Sequence, residues 1–180
     1  AQRLQAASCG FLGLHHQHGG GAVRQLAGVA GGDGSSRHGR QRAQSLDVPV
    51  YLHPAVPHKA VVDVYYRDYL EEFPNLMTAA WGFGVETATQ GIRLVLSGVF
   101  EKYPRLKIIL GHLGEGLPFY LWRINMALAR QGNRTTPFRD TFREHFWITT
   151  SGNFSTPALL CWVMEMGADR ILFSVDYPFV

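Results

Sequence analysis

The stretch "KIILGHLGEGLP", from Lys107 to Pro118, decides how the chain is to be read. Buried-strand character, carried by Leu106 to Leu110, ends abruptly at Gly111, and His112 and Glu115 follow within four positions. An apolar run that stops at glycine and gives way to a histidine and a carboxylate reads as a strand exit with reactive side chains at its rim.

The same alternation repeats on both sides. Upstream, "DVPVYLHP" is a short β-type run closed by His53-Pro54, where proline stops the strand. "PHKAVVDVYYRDYLEEFPNLMTAAWGFG" is too long to be a simple turn, and long loops in compact domains are often functional. "VETATQGIRLVLSGVFEKYP" predicts a helix with Val85, Ala88, Ile92, Val95, Leu96 and Val99 on one face. Downstream, "LPFYLWRINMALARQ" predicts a helix, and "FRDTFREHF" a shorter one leading into the strand "FWITT". Thr156-Pro157 opens a further helix, with threonine as its cap and proline in its first turn, and Gly167 closes it. "RILFS" is the last strand, and Asp176 follows it. Apolar strands alternating with amphipathic helices indicate a parallel sheet covered by helices. It closes either as an open doubly wound sheet or as a (β/α)8 barrel, and both put their chemistry at the C-terminal ends of strands.

Composition narrows the function classes. The 180 residues fit one domain, and 46% apolar with 17% charged is globular rather than disordered. The net charge of +3 is concentrated at the start, where residues 1–46 hold five arginines against one aspartate. Residues 47–180 hold twelve basic and thirteen acidic side chains, so nucleic-acid binding has no electrostatic footprint there. No run has the length of a membrane span, and no signal-peptide pattern opens the chain. Two cysteines, Cys9 and Cys161, give no disulfide framework, which makes a reducing cytoplasm the expectation.

Residues 1–45 differ in texture. They are rich in Gly, Ala, Arg and Gln and show neither a sustained helical nor a strand period, so they are expected to be irregular and not barrel sequence. Their "FLGLHHQH" offers His16 and His18, but only 34 residues separate His18 from His53, too few for the βα units a full barrel puts between them.

Polar groups gather at the strand exits: His53, then His112 with Glu115, then Ser151-Gly152-Asn153, then Asp176. Singly, each has an ordinary structural reading as loop residue, turn former or helix-start carboxylate. Jointly, imidazole and carboxylate at one rim suit a divalent ion, zinc or manganese.

The segments "LDVPVYLHP", "WGFGVETATQGIRLVLSGVFEKYPRLKIILGHLGEGLPFYLWRIN", "FWITTSGNFSTPALL" and "MGADRILFSVDYPF" resemble the amidohydrolase superfamily. Within it they resemble the aminocarboxymuconate-semialdehyde decarboxylase-like branch, in the pattern of γ-resorcylate and dihydroxybenzoate decarboxylases. The likeness covers nearly all of residues 46–180. It implies a (β/α)8 TIM-barrel fold, present here mainly as its C-terminal half and lacking the closing helix. It implies metal-dependent, non-oxidative decarboxylation of a hydroxybenzoate, with a small aromatic carboxylate as substrate and a homo-oligomer when full length. His53 and Asp176 correspond to metal ligands, and Asp176, His112 and Glu115 to catalytic residues. Arg123, Phe179 and Trp81 correspond to substrate-binding positions, and the arginine can come from a neighbouring subunit. Two alternatives stand beside this reading: a metal-dependent hydrolase of the same superfamily, and an inactive truncated fragment.

Overall fold

Four short apolar runs pair side by side in chain order, all parallel. They are β1 (Val50–Leu52), β2 (Ile108–Leu110), β3 (Phe146–Thr149) and β4 (Ile171–Leu172). The computed structural model describes residues 34–129 and 137–177. Between the strands lie α2 (Gly82–Leu96), α3 (Leu117–Ala129), α4 (Phe138–His145) and α5 (Thr156–Met166). A helix ahead of the sheet, α1 (Gly34–Ser45), precedes β1.

Strand alternation explains which face the helices cover. Leu52, Ile108, Leu110, Phe146 and Ile148 point to one side and form the buried core with Leu94, Val95, Leu117, Leu121, Phe142 and Trp162. The helices α2, α4 and α5 pack on that side. Gly91 of α2 abuts Leu117, Leu110 and Phe146, and Phe142 of α4 stacks on Phe146 with ring centroids 4.2 Å apart. Trp162 of α5 meets Phe142 edge-on at 6.3 Å. Tyr51, Ile109, Trp147 and Thr149 occupy the alternate positions and face the other way. Sequential strand order excludes a doubly wound switch point among the described strands.

The element order follows the sequence pattern, with five corrections. The segment expected to be irregular over 1–45 contains α1, whose residues 34–45 are strongly polar. Packing holds it: Ala43 is buried in the core, and Gln44 Oε1 accepts from the Arg105 amide at 2.9 Å. The buried side of α2 is Thr87, Gln90, Gly91, Leu94 and Val95, whereas Val85 and Leu96 are exposed. The helix also stops at Ser97, because Gly98 adopts φ +71°, and only a single turn, Val99–Lys102, follows. Ser155, not Thr156, is the residue before the first turn of α5, and its side chain makes no capping bond. The long connection after β1 is not a bare loop but carries helical turns at Lys59–Val61, Val62–Tyr66, Arg67–Tyr69 and Pro74–Met77.

The aromatic stack is the centre of this core. Phe142→Ala removes a fully buried ring that touches both β3 and α5. It is expected to cost about 3–5 kcal/mol of unfolding free energy, measured as a lowered urea midpoint with an unchanged slope.

Candidate active site

The exit of β2 turns in an unusual way. His112, Leu113, Gly114, Glu115 and Gly116 all have positive φ, between 48° and 76°, so the chain makes a left-handed turn. For a non-glycine residue that conformation costs about 1–2 kcal/mol, and three non-glycines adopt it here. Gly114 is required for a second reason. A Cβ on it would lie 2.9 Å from Trp162 and 3.0 Å from Ile148. Leu113 is buried, and the Gly114 amide donates to the Gly111 carbonyl at 2.7 Å, which holds the turn.

A turn with about three residues per repeat lines up side chains three positions apart, and this brings His112 to Glu115. Nδ1 of His112 donates to Oε1 of Glu115 at 2.5 Å. The Glu115 side chain is only 6% exposed, so the imidazole is held from below by a buried carboxylate. The other ring nitrogen, Nε2, faces Asp176 Oδ2 at 3.6 Å. Asp176 arrives from the segment after β4 and itself has φ +62°. The pair therefore spans the exit of β3, and Gly152 lies directly beneath it.

Electrostatics follow from this arrangement. The hydrogen bond to Glu115 raises the His112 pKa above its ordinary 6.5, burial opposes this, and the charges of Glu115 and Asp176 add to the rise. The imidazolium is thus favoured, with a proton on each nitrogen.

Beside this pair lies a cluster of hydroxyls, of which the sequence singled out Ser151 but not Thr149 or Tyr51. Thr149 Oγ1 and Ser151 Oγ are 2.5 Å apart, and Tyr51 OH is 3.3 Å from the first and 3.5 Å from the second. Tyr51 also sits over Gly111, where a Cβ would come within 2.8 Å of its oxygen. The available signal was period two: Tyr51 and His53 share a strand face.

His53 stands at the exit of β1, exposed, with Nδ1 donating to the Pro54 carbonyl at 2.8 Å. A carbonyl only accepts, so Nδ1 carries the proton and Nε2 keeps its lone pair, the tautomer a metal ligand needs. No hydrogen bond or ion pair joins His53 to His112 or Asp176 among the described residues. Nor do three or more His, Cys, Asp or Glu among them form a group that could hold a metal ion. The donor types of His53 and Asp176 fit a divalent cation, and two donors alone do not close its coordination shell. Trp81 is exposed just before α2, and Arg123 is exposed on α3 without contact to the His112 cluster. Phe179, His16 and His18 lie outside the described residues. Cys161 is half-buried in α5, and burial pushes its thiol pKa up. No described helix is long and apolar enough to cross a membrane.

Comparison with known proteins identifies the family. The family described as Amidohydrolase matches residues 3–180. A γ-resorcylate decarboxylase from Polaromonas sp. is 47% identical over 146 residues, covering 77% of this chain and 43% of that protein. The crystal structure of a dihydroxybenzoic acid decarboxylase from Polaromonas sp., with bound manganese and the inhibitor 2-nitroresorcinol, superposes with a TM-score of 0.72 at 44% identity. That match covers 82% of this chain and 44% of that one. A 2,6-dihydroxybenzoate decarboxylase from Rhizobium gives a TM-score of 0.70 at 45% identity over 82% of this chain and 46% of that one.

The chain belongs to the amidohydrolase superfamily. Within that superfamily it falls with the γ-resorcylate and dihydroxybenzoate decarboxylases, and it spans less than half the length of the relatives just named.

The raised pKa of His112 sets a pH signature for the metal-free chain. Its folded value lies above the unfolded 6.5, so its contribution to stability is fully present below about pH 6.5 and is lost as pH rises through the folded value. Glu115→Gln removes the main cause. An NMR titration of the His112 ring is expected to show the midpoint falling back toward 6.5, and an unmoved midpoint would reject the assignment.

Proposed function

We propose that this chain is the C-terminal half of a (β/α)8 amidohydrolase barrel whose reaction is the non-oxidative decarboxylation of a hydroxybenzoate. The observation that supports this most is the His112 pair: one nitrogen fixed on buried Glu115, the other aimed at Asp176. That is a proton-handling unit, and decarboxylation of an electron-rich ring needs one. Losing CO₂ directly would leave a poor carbanion, so the ring carbon bearing the carboxylate must be protonated first.

In this reading Asp176, as its carboxylic acid, delivers a proton to that carbon. The bond to the carboxylate then breaks, its electron pair returns to the ring, and CO₂ leaves. The Asp176 carboxylate left behind takes a proton from Nε2 of His112, and His112 is reprotonated from solvent while Nδ1 stays on Glu115. His53, through Nε2, and Asp176 would hold a divalent cation, zinc or manganese, together with donors outside the described residues. When bound, that ion would act as a Lewis acid that absorbs negative charge on the substrate. A protein of similar sequence was crystallised with bound manganese, which favours that metal.

The other assignments extend the same reading. Arg123 shares the exposed surface of α3 with Phe119 and Trp122, which suits a carboxylate-binding arginine offered across a subunit boundary in a homo-oligomer. Trp81 and Phe179 would pack against the substrate ring. Residues 46–180 carry the barrel segment, and α1, at residues 34–45, packs against it through Ala43 and Gln44. The unpaired outer edges of β1 and β4 among the described strands, with exposed Phe173, Val175 and Tyr177 after β4, suit a sheet that continues into further strands.

The test supplies the missing strands. The chain is mixed with the N-terminal half of the Polaromonas decarboxylase in manganese buffer, and CO₂ release from 2,6-dihydroxybenzoate is followed alongside hydrolysis of aryl lactones. Decarboxylation without hydrolysis is expected, and Asp176→Asn should lower it by about 10²–10⁴-fold. Hydrolysis alone would support the other superfamily chemistry, and an Asp176→Asn rate equal to the parent would remove Asp176 from the mechanism.

A further inference from the structure

The exit of β3 contributes no ionisable group to the site, yet it occupies the middle of it. We propose that Gly152 is a positioning residue whose missing side chain lets His112 and Asp176 meet, so that any Cβ at this point drives the two apart. The steric claim stands on the geometry alone; its catalytic consequence rests on the decarboxylase reading above.

A Cβ built on Gly152 would stand 2.7 Å from His112 Cδ2, 3.2 Å from His112 Nε2 and 3.0 Å from Asp176 Oδ2. The first of these is shorter than folded proteins tolerate between carbons in van der Waals contact. Something must move, and the surroundings decide what. The imidazole is tied at Nδ1 to Glu115, and the backbone of both residues is set in the left-handed turn. The Glu115 side chain that holds the ring is buried, only 6% exposed. The His112 carbonyl accepts from Asn153 Nδ2 at 3.5 Å, which links the ring's own backbone to the β3 exit.

The β3 exit is itself anchored. Ser151 is held by Thr149 and Tyr51, and Thr150 Oγ1 donates to the Ser174 carbonyl at 2.7 Å and accepts from its amide at 3.1 Å. Gly152 therefore cannot sink away from the ring. The Asp176 carboxylate is the least confined of the three partners, with a third of its side chain exposed. It is the group that yields, and it yields away from Nε2.

A positive φ gives Gly152 a second reason to be glycine, and the experiment separates the two. Gly152 has φ +64° and Gly98 has φ +71°, so alanine meets a similar backbone penalty at both. At Gly98 the nearest atom to the new Cβ is the flexible end of Glu101, 3.4 Å away. Crystal structures and melting curves of Gly152→Ala and Gly98→Ala in the 180-residue chain are compared. A similar loss of melting temperature is expected in both, whereas only Gly152→Ala should lengthen the 3.6 Å His112–Asp176 separation, by about 1 Å. An unchanged separation in Gly152→Ala overturns the proposal. If that variant does not fold, the parent chain decides by NMR: a cross-peak between Gly152 Hα and His112 Hδ2 supports the packing, and its absence overturns it. In the complemented barrel, kcat for decarboxylation should fall about a hundredfold in Gly152→Ala with KM nearly unchanged. A parent barrel that releases no CO₂ refutes the decarboxylase reading and leaves the distance measurement intact.

Discussion

The left-handed turn from His112 to Gly116 is the constraint on which the site depends. A right-handed α-helix starting at Gly111 would also place positions 112 and 115 near each other, but it would swing both along the axis of α3 and away from the strand exits. The left-handed path keeps them at the rim and delays the start of α3 until Leu117. Its conformational cost is of order a few kcal/mol for three non-glycine residues. Burial of Leu113, the close seat of Gly114 against Trp162, and the short bond between His112 and Glu115 offset it. Strain concentrated in a catalytic turn, stabilised by packing on its buried side, is a recurring arrangement.

From that turn the rest of the site follows by simple geometry. Parallel strands in register put their exits side by side about 5 Å apart, and the order β1-β2-β3-β4 sets His53, His112, Gly152 and Asp176 in a row. The pair that meets, His112 and Asp176, is two strands apart, and the strand between them must therefore offer no side chain where they cross. The three exits are tied together by hydroxyls and backbone rather than by ion pairs: Tyr51, Thr149 and Ser151 join β1 to β3, and Thr150 joins β3 to the segment after β4. Neutral anchors leave the charged groups to the reaction. A lysine or arginine in that cluster would shift the protonation of His112 and Asp176 directly.

Much of this was legible in the chain. The alternation of "VYL", "IIL", "FWIT" and "IL" with amphipathic segments gave the strands and most of the helices, because both periods are strong and each run ends at proline, glycine or a polar cluster. His112, Glu115 and Asp176 were visible as polar residues just beyond apolar runs. What was not legible has physical reasons. Helix α1 has almost no apolar stripe and exists through one buried alanine and one side-chain bond, which no periodicity reports. The stripe predicted for α2 holds at Ala88, Ile92, Val95 and Val99. The buried side also takes in Thr87, Gln90 and Gly91, small or polar residues that no hydrophobic stripe includes, and leaves Val85 and Leu96 exposed. The handedness of the turn at His112 could not be read, since glycines permit both hands and packing against Trp162 selects one. Gly152 was visible only as part of the exit Ser151-Gly152-Asn153, because its role lies in what it leaves empty. Tyr51 drew no notice because its partners are 98 to 100 residues away.

The account comes down to a proton placed on one ring carbon by a side chain at the strand exits. Microscopic reversibility allows this to be measured without CO₂, by incubating the complemented barrel with resorcinol in D₂O and following the ring hydrogens by NMR. The account predicts catalysed deuterium entry at the carbon between the two hydroxyls and at no other position. Absence of catalysed exchange there, in a barrel that still decarboxylates, would contradict it.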